Sequence, residues 1–178
     1  SRIQPHFLFN SLNSIVSLIV SAPAKAELAV LDLADLFRAN LSEAGGMATW
    51  EEERHLCEGY LRIEHYRLGD RLRVKWHGDL PAATPMPLLT LQPLLENAIL
   101  HGLQPSLEGG DISIVAGFNA GVVELLVSNS CPRGITSHQG SRMALENIRA
   151  RVTGLFGPQA QLESWRDGER FFSRLVYP

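Results

Sequence analysis

The chain predicts an α+β fold, a helical hairpin followed by helices laid on one face of a mixed, largely antiparallel sheet. Three observations carry that prediction. Apolar residues recur at helical spacing through the first third of the chain, alternation with a two-residue period sets in after Gly69-Asp70, and Gly or Pro separates each run from the next. At 178 residues and 45% hydrophobic content there is enough material for one domain or two small ones with a real core. A net charge of -3 provides no basic field for direct nucleic-acid binding. No apolar run approaches the roughly 18 residues that a membrane span needs. Cys57 and Cys131 fit no metal or redox spacing and read as reduced thiols.

The elements follow in order. Residues 3–21 read as a first helix, broken by Ala22-Pro23, and residues 24–42 as a second with Val30, Leu33, Phe37 and Leu41 at helical spacing, ended by Gly45-Gly46. Two amphipathic helices with a short join form an antiparallel hairpin whose apolar stripes call for a second copy, so a homodimer is expected. The hairpin, residues 1–45, is expected to be one unit and residues 46–178 the other. Thr49-Trp50-Glu51-Glu52 has the form of a capping box for a third helix burying Leu56, Tyr60 and Ile63. Gly69-Asp70 marks a turn, 71–76 a strand, Pro81, Pro85 and Pro87 a loop, and 88–103 an apolar helix closed by Gly102 and Pro105. Strands over 112–118 and 122–127 are joined by Asn119-Ala120-Gly121 as a hairpin. A polar stretch, 128–141, precedes a helix over 143–156, and 161–165 with 171–176 form a closing hairpin about Asp167-Gly168. Trp50, Trp76, Trp165 and Cys57 read as packing, and Arg149 and Arg151 as partners in structural ion pairs.

Two constellations carry chemistry. In Gln4-Pro5-His6-Phe7-Leu8-Phe9-Asn10-Ser11-Leu12-Asn13, a helix places Asn10, Asn13 and Ser17 four, seven and eleven positions beyond His6, on one polar face. Leu8, Leu12, Ile15 and Ile19 fill another. An imidazole so placed offers its ring nitrogens to a reactant, although a lone helical histidine reads equally as a surface residue. In the second string, Leu91 to Gly102, Asn97 and His101 lie four apart on one helical face. An amide oxygen is a hard, neutral ligand suited to Mg2+ on nucleotide phosphates, and an imidazole one turn on can donate to a phosphate oxygen. By themselves the two also fit a hydrogen-bonding pair at a helix end. A metal site built from His6, His101 and carboxylates lacks any compact ligand spacing.

Together the strings QPHFLFNSLN, LADLFRANL, WEEERHLCEGYLRIEHYRLGDRL, LQPLLENAILHGL and ALENIRARVTGLFG resemble the LytS/YehU family of sensor histidine kinases over nearly the whole chain. The resemblance implies a dimerising helical region bearing a phosphoacceptor histidine, followed by an ATP-binding α/β sandwich of the GHKL (Bergerat) type. It implies that His6 accepts the γ-phosphoryl group of ATP, that Asn97 holds Mg2+, and that His101 and Glu96 line the phosphate site. Asn10 would orient the ring of His6, and Asn147 would belong to the nucleotide site. The partner it implies is a response regulator, of LytTR type, whose aspartate receives the phosphoryl group. An upstream sensor or membrane anchor is expected, with this chain the cytoplasmic part of an inner-membrane protein.

The residues also depart from that family's pattern. After His6 stands Phe7 rather than a carboxylate, so an acceptor for the imidazole proton must come from elsewhere, with Asp32 and Asp35 as candidates on the second helix. Pro93 stands four residues before Asn97, where a water-activating ATPase of this fold carries Glu, which favours transfer to histidine. Asn129-Ser130-Cys131-Pro132-Arg133-Gly134 replaces an Asp-x-Gly-x-Gly string, so Asn129 is expected both to accept from and to donate to the adenine edge. Arg142-Met143-Ala144 replaces a second glycine string. Gly140 and Ser141 then shape a shorter loop, and Arg142 substitutes a guanidinium for the lost phosphate-binding amides. The alternative is a degenerate nucleotide fold serving as a dimerisation and regulator-docking platform.

Overall fold

The computed structural model describes residues 4–42, 46–133 and 139–178. Residue 3, where the first helix is expected to start, Gly45 of the expected break and Gly134 of the string beginning at Asn129 lie outside the described residues. Helix α1 (Pro5–Ser21) and helix α2 (Pro23–Leu41) each open on a proline, whose missing N–H is no loss in a first turn. Between them the Ala22 N–H closes on the Leu18 carbonyl at 2.8 Å.

The face that α1 buries differs from the expected seam. Phe7, Ser11 and Ile15 are buried, whereas Leu12 is 45% and Ile19 54% exposed. The cause is a ring contact: Phe7 packs on Tyr60 of the third helix with centroids 5.2 Å apart, and this bulky anchor fixes the rotation of α1. In α2 the buried side is Ala26, Ala29, Asp32, Leu33, Leu36 and Ala39, while Val30 and Leu41 of the predicted stripe are exposed. Small residues at this seam allow close approach. A Cβ on Gly59 of the third helix would already touch Asp32 Oδ1 at 3.0 Å.

Strand β1 (Met47–Thr49) leads into helix α3 (Trp50–Leu68), and both halves of the predicted capping box are present. Thr49 Oγ1 accepts from the Glu52 N–H at 3.2 Å, and the Thr49 N–H donates to Glu52 Oε2 at 3.0 Å. Leu56, Tyr60 and Ile63 are buried as expected. A 3-10 turn at Gly69–Arg71 precedes strand β2 (Leu72–Gly78). Strand β3 (Pro85–Pro87) pairs antiparallel with β1. Beyond helix α4 (Leu91–Ala98) come β4 (Gly110–Asn119), β5 (Val122–Ser130), helix α5 (Gln139–Phe156), β6 (Gln161–Asp167) and β7 (Arg170–Tyr177). Their sheet runs β2-β4-β5-β7-β6, parallel only between β2 and β4. Ala120 and Gly121 turn the β4–β5 hairpin with φ of 53° and 80°, the left-handed pair that a two-residue connection demands. Leu91, Leu95, Ile99 and Leu103 bury completely with Ile112, Ile114, Leu125 and Leu175 of the sheet. Trp165 departs from its assignment to packing: it stacks on Phe172 at 5.2 Å and keeps 40% exposure on the edge strand.

Residues 88–90 do not extend α4 as predicted but form its entry. Leu89 has a φ of 60° and Thr90 makes no side-chain cap. The cap comes from α3 instead. Fully buried Glu53 accepts the N–H groups of Leu89 (2.7 Å), Thr90 (3.0 Å), Leu91 (2.8 Å) and Gln92 (3.0 Å). Burial pushes the Glu53 carboxyl above its usual range, while these four bonds pull it back down. Arg151 of α5 completes the entry by donating to the Leu89 carbonyl and, at 3.0 Å, to Thr90 Oγ1. It therefore binds backbone and hydroxyl oxygens rather than a carboxylate, whereas Arg149 does form the expected ion pair, with Glu146.

A Glu53→Gln variant replaces one acceptor oxygen by a donor facing N–H groups. It should lose about 3 kcal/mol of stability, read as a lower urea midpoint at unchanged slope.

Candidate functional site

The α4 segment is continued by a π turn, Ile99–Leu103, in which the Gln104 N–H reaches the Ile99 carbonyl five residues back at 2.8 Å. The predicted uninterrupted helix is thus wrong at its C-terminal end. Gly102 accounts for the local fit. A Cβ there would collide with Asn129 Nδ2, so the end of β5 nests against the turn. Asn97 is buried and His101 half-buried on this segment, and Asn129 is buried beside it.

Asn129 donates its amide to the Ser130 carbonyl at 2.9 Å. One of its two amide N–H groups is thereby taken, and the carbonyl remains an acceptor. The following residues are strapped to the β6–β7 turn. The Cys131 N–H donates to the Glu169 carbonyl at 2.7 Å, and Arg166 donates to the Cys131 and Pro132 carbonyls, each at 3.0 Å. Arg133 points away, its side chain 88% exposed and 3.7 Å from Glu169. Gly140 and Ser141 belong to α5, which starts at Gln139, and so do not shape the expected short loop. Arg142 and Asn147 are exposed on that helix.

His6, Asn10 and Glu96 come together on the other side of α4. They line one cleft between α1, α3 and the α4 segment, together with Tyr60, Glu64 and Arg67. Asn97, His101 and Asn129 are not among its walls. Its free volume of about 30 Å3 is room for a water, not for a nucleotide. The floor is a network on α3: Tyr60 Oη donates to Glu64 Oε2 at 3.3 Å, and Arg67 donates to Glu64 at 3.0 Å and to Gln104 Oε1 at 3.3 Å. Burial and the charge of Glu64 hold the Tyr60 hydroxyl well above its usual range. Glu96 accepts from Gln92 Nε2 at 3.2 Å. Burial pushes its carboxyl up, the Gln92 bond opposes this, and the charge of Glu64 adds to the rise. Sequence reasoning missed the Tyr60, Glu64 and Arg67 network, although their spacing of four and three residues along α3 was its signal.

Neither candidate acceptor on α2 lines the cleft with His6. Asp32 is held by Arg62 through two bonds of 3.0 and 2.9 Å, and Asp35 pairs with Arg38 and lies 3.7 Å from His55. Among the described residues no group of three or more His, Cys, Asp or Glu side chains is gathered to hold a metal ion.

Comparison with known proteins agrees with this architecture. A family model described as histidine kinase matches residues 1–72. The sensor histidine kinase/phosphatase LytS of Staphylococcus aureus is 32% identical over 99% of the chain, which covers 33% of that protein. The chain belongs to the LytS-type family of sensor histidine kinases. Sensor histidine kinase YpdA of Escherichia coli is also 32% identical, over 88% of the chain and 30% of its own length. The chain thus spans about a third of the length of the curated relatives it matches. Among solved structures, the histidine kinase domain of the blue-light activated kinase from Erythrobacter litoralis superposes with a TM-score of 0.52 at 19% identity. That match covers 86% of this chain and 74% of the other. It shares the fold, the helices and mixed sheet of a histidine kinase catalytic (GHKL) domain.

Gly102→Ala should drive the Asn129 amide out of the π turn. A loss of about 1–3 kcal/mol is expected, read as a lower melting temperature with altered amide exchange at Asn129 and Ser130.

Proposed function

We propose that this chain is the kinase core of a two-component sensor, which phosphorylates His6 from Mg-ATP and passes the phosphoryl group to a response-regulator aspartate. One observation carries the reading: in a LytS-type chain, His6 and Asn10 share a cleft with Glu96, a wall residue of the helix that also bears Asn97. Residues 1–45 would then be the acceptor-bearing unit and 46–178 the nucleotide-binding unit.

The residues fit the cofactor in their chemistry. The neutral amide oxygen of Asn97 suits Mg2+, and His101 with Arg142 supplies donors for phosphate oxygens. The Asn129 carbonyl would accept from the adenine amino group, with one of the two amide N–H groups held by the Ser130 carbonyl. Asn147 is assigned to the same site. Magnesium ATP, when bound, supplies the phosphoryl group and the charge neutralisation that phosphoryl transfer depends on. The nucleophile is neutral imidazole: one ring nitrogen of His6 forms the N–P bond as the P–O bond to ADP breaks, and the proton on the other nitrogen is afterwards lost.

Exposed Phe9, Leu12, Val16 and Ile19 on α1, with Leu28, Val30 and Leu31 on α2, support a homodimer joined through the hairpins. The regulator is proposed to be of LytTR type. No described helix is long and apolar enough to cross a membrane, and a cytoplasmic position beneath an inner-membrane sensor is part of the proposal.

A second reading is a docking module that does no nucleotide chemistry. It is favoured by the strap that fixes Cys131 and Pro132 to the β6–β7 turn where the family's glycines would allow a close approach to ligand.

Incubation with γ-labelled ATP and Mg2+ separates the two. Label is expected on the wild type, none on His6→Gln, and strongly reduced label on Asn97→Ala. An unlabelled wild type with no nucleotide-induced melting shift rejects the kinase. On the nucleotide side, Asn129→Asp restores a charge-assisted acceptor and should tighten ATP binding about fivefold by titration calorimetry.

A further inference from the structure

We infer that Glu96 positions the acceptor histidine: its carboxylate accepts the ring N–H of His6 from the same chain and so aims the other ring nitrogen at the incoming phosphorus. The inference rests on the reading of His6 as phosphoacceptor. It adds the group that holds the imidazole in one tautomer.

The geometry reaches this by elimination. The residue after His6 is Phe7, buried against Tyr60, so no neighbouring side chain on α1 can supply a carboxylate. Asp32 and Asp35 pair with Arg62 and Arg38 and are not among the residues that line the cleft with His6. Two carboxylates line the cleft that His6 enters, Glu64 and Glu96. Glu64 is claimed twice, by the Arg67 guanidinium and by the Tyr60 hydroxyl. Glu96 accepts a bond from the neutral amide of Gln92, through Oε2. A carboxylate has about four acceptor positions on two oxygens, so a single amide bond leaves capacity for an imidazole N–H. The free volume of about 30 Å3 between the lining side chains is room for a water, so Glu96 and His6 share a cleft too small for a triphosphate. Phe7 on Tyr60 keeps the first turn of α1 seated there, and the positions of His6 and Glu96 are thereby fixed by two separate helices of one chain.

A ring held in one tautomer keeps its lone pair on the reacting nitrogen, the service that a second-partner carboxylate gives a histidine elsewhere in enzymology. Asn10, which also lines the cleft, is the competing orienter.

The test uses the 178-residue chain with ring nitrogens of histidine labelled for NMR, and phosphoramidate as a small phosphoryl donor that needs no nucleotide site. Wild type should show His6 predominantly in one tautomer. Glu96→Gln is isosteric and should fold, but its single carbonyl is shared with Gln92 and its amide donates, so the tautomer should shift toward the other nitrogen. Labelling of His6 by phosphoramidate should fall about tenfold in that variant, a modest fraction of what an orienting partner can contribute. Glu96→Asp, which restores two acceptor oxygens, should recover the wild-type tautomer and most of the rate. An unchanged tautomer in Glu96→Gln, or a change in Asn10→Ala instead, overturns the inference. So does a variant that loses labelling from ATP while its phosphoramidate rate stays at the wild-type value, since Glu96 would then act on nucleotide. Wild type that accepts from phosphoramidate and not from ATP, with the tautomer still dependent on Glu96, upholds this inference while rejecting the kinase.

Discussion

Glu53 is the point on which the rest of the structure hangs. A carboxylate shut away from water costs several kcal/mol unless its lone pairs are filled, and here four consecutive backbone N–H groups fill them. Those are the groups that an α-helix leaves without partners at its start, so the bonds from α3 satisfy the orphaned end of α4 and hold it at a fixed angle. The positive end of the helix dipole favours the same charge. Arg151 reaches the other side of this entry from α5; burial lowers the pKa of its guanidinium, and the charge of Glu53 opposes that loss. Three helices are therefore joined at Leu89 and Thr90. The left-handed backbone of Leu89 is tolerable because its N–H and carbonyl are both taken.

Everything chemical on α4 inherits that placement. The helix is short, and its two sides are turned to different tasks: Glu96 and Leu100 form the wall opposite His6, while Gly102 receives Asn129 from the sheet. A regular helix would carry Gly102 about 100° per residue around from Ile99. The π turn spreads that rotation over a wider loop, and the absent side chain at Gly102 lets the β5 amide fit against the backbone. His6 and Asn129, the proposed acceptor and the proposed base-recognition residue, thus lie against different sides of one helical segment whose start is held by Glu53.

Local chemistry made much of this legible from residues alone. Thr49 and Glu52 announce the capping box because both partners lie within four residues, and Ala120-Gly121 announces the hairpin turn for the same reason. The spacing of His6 and Asn10 likewise places them on one face, and both line one cleft. What escaped depends on contacts between distant segments. Glu53 finds its partners 36 to 39 residues away, and nothing in the helical pattern of α3 marks a glutamate as a cap for another helix. Periodicity assumes 3.6 residues per turn, so the π turn at Ile99 was read as ordinary helix. The Ser130 carbonyl that takes one N–H of the Asn129 amide is likewise invisible without coordinates.

The rotation of α1 shows why a periodic stripe is not enough to name a buried face. Two apolar stripes compete on this helix, one through Phe7 and Ile15 and another through Leu12, Val16 and Ile19, offset by one residue or about 100°. Aliphatic content favours Leu12 and Ile19, and the sequence pattern joins them to Leu8 and Ile15 in one seam. The aromatic contact with Tyr60 decides for the first, since a ring buried against a ring at 5.2 Å gains more than a leucine laid on a surface. The same choice has two consequences. It sets His6, next to Phe7, at the mouth of the cleft with Glu96, and it turns Leu12, Val16 and Ile19 outward. Seating His6 and turning an apolar face outward are thus one event, because a rigid helix cannot rotate one without the other. A partner helix covering that face would resist any rotation that withdraws His6, so the proposed dimer would reinforce the acceptor's position without touching it.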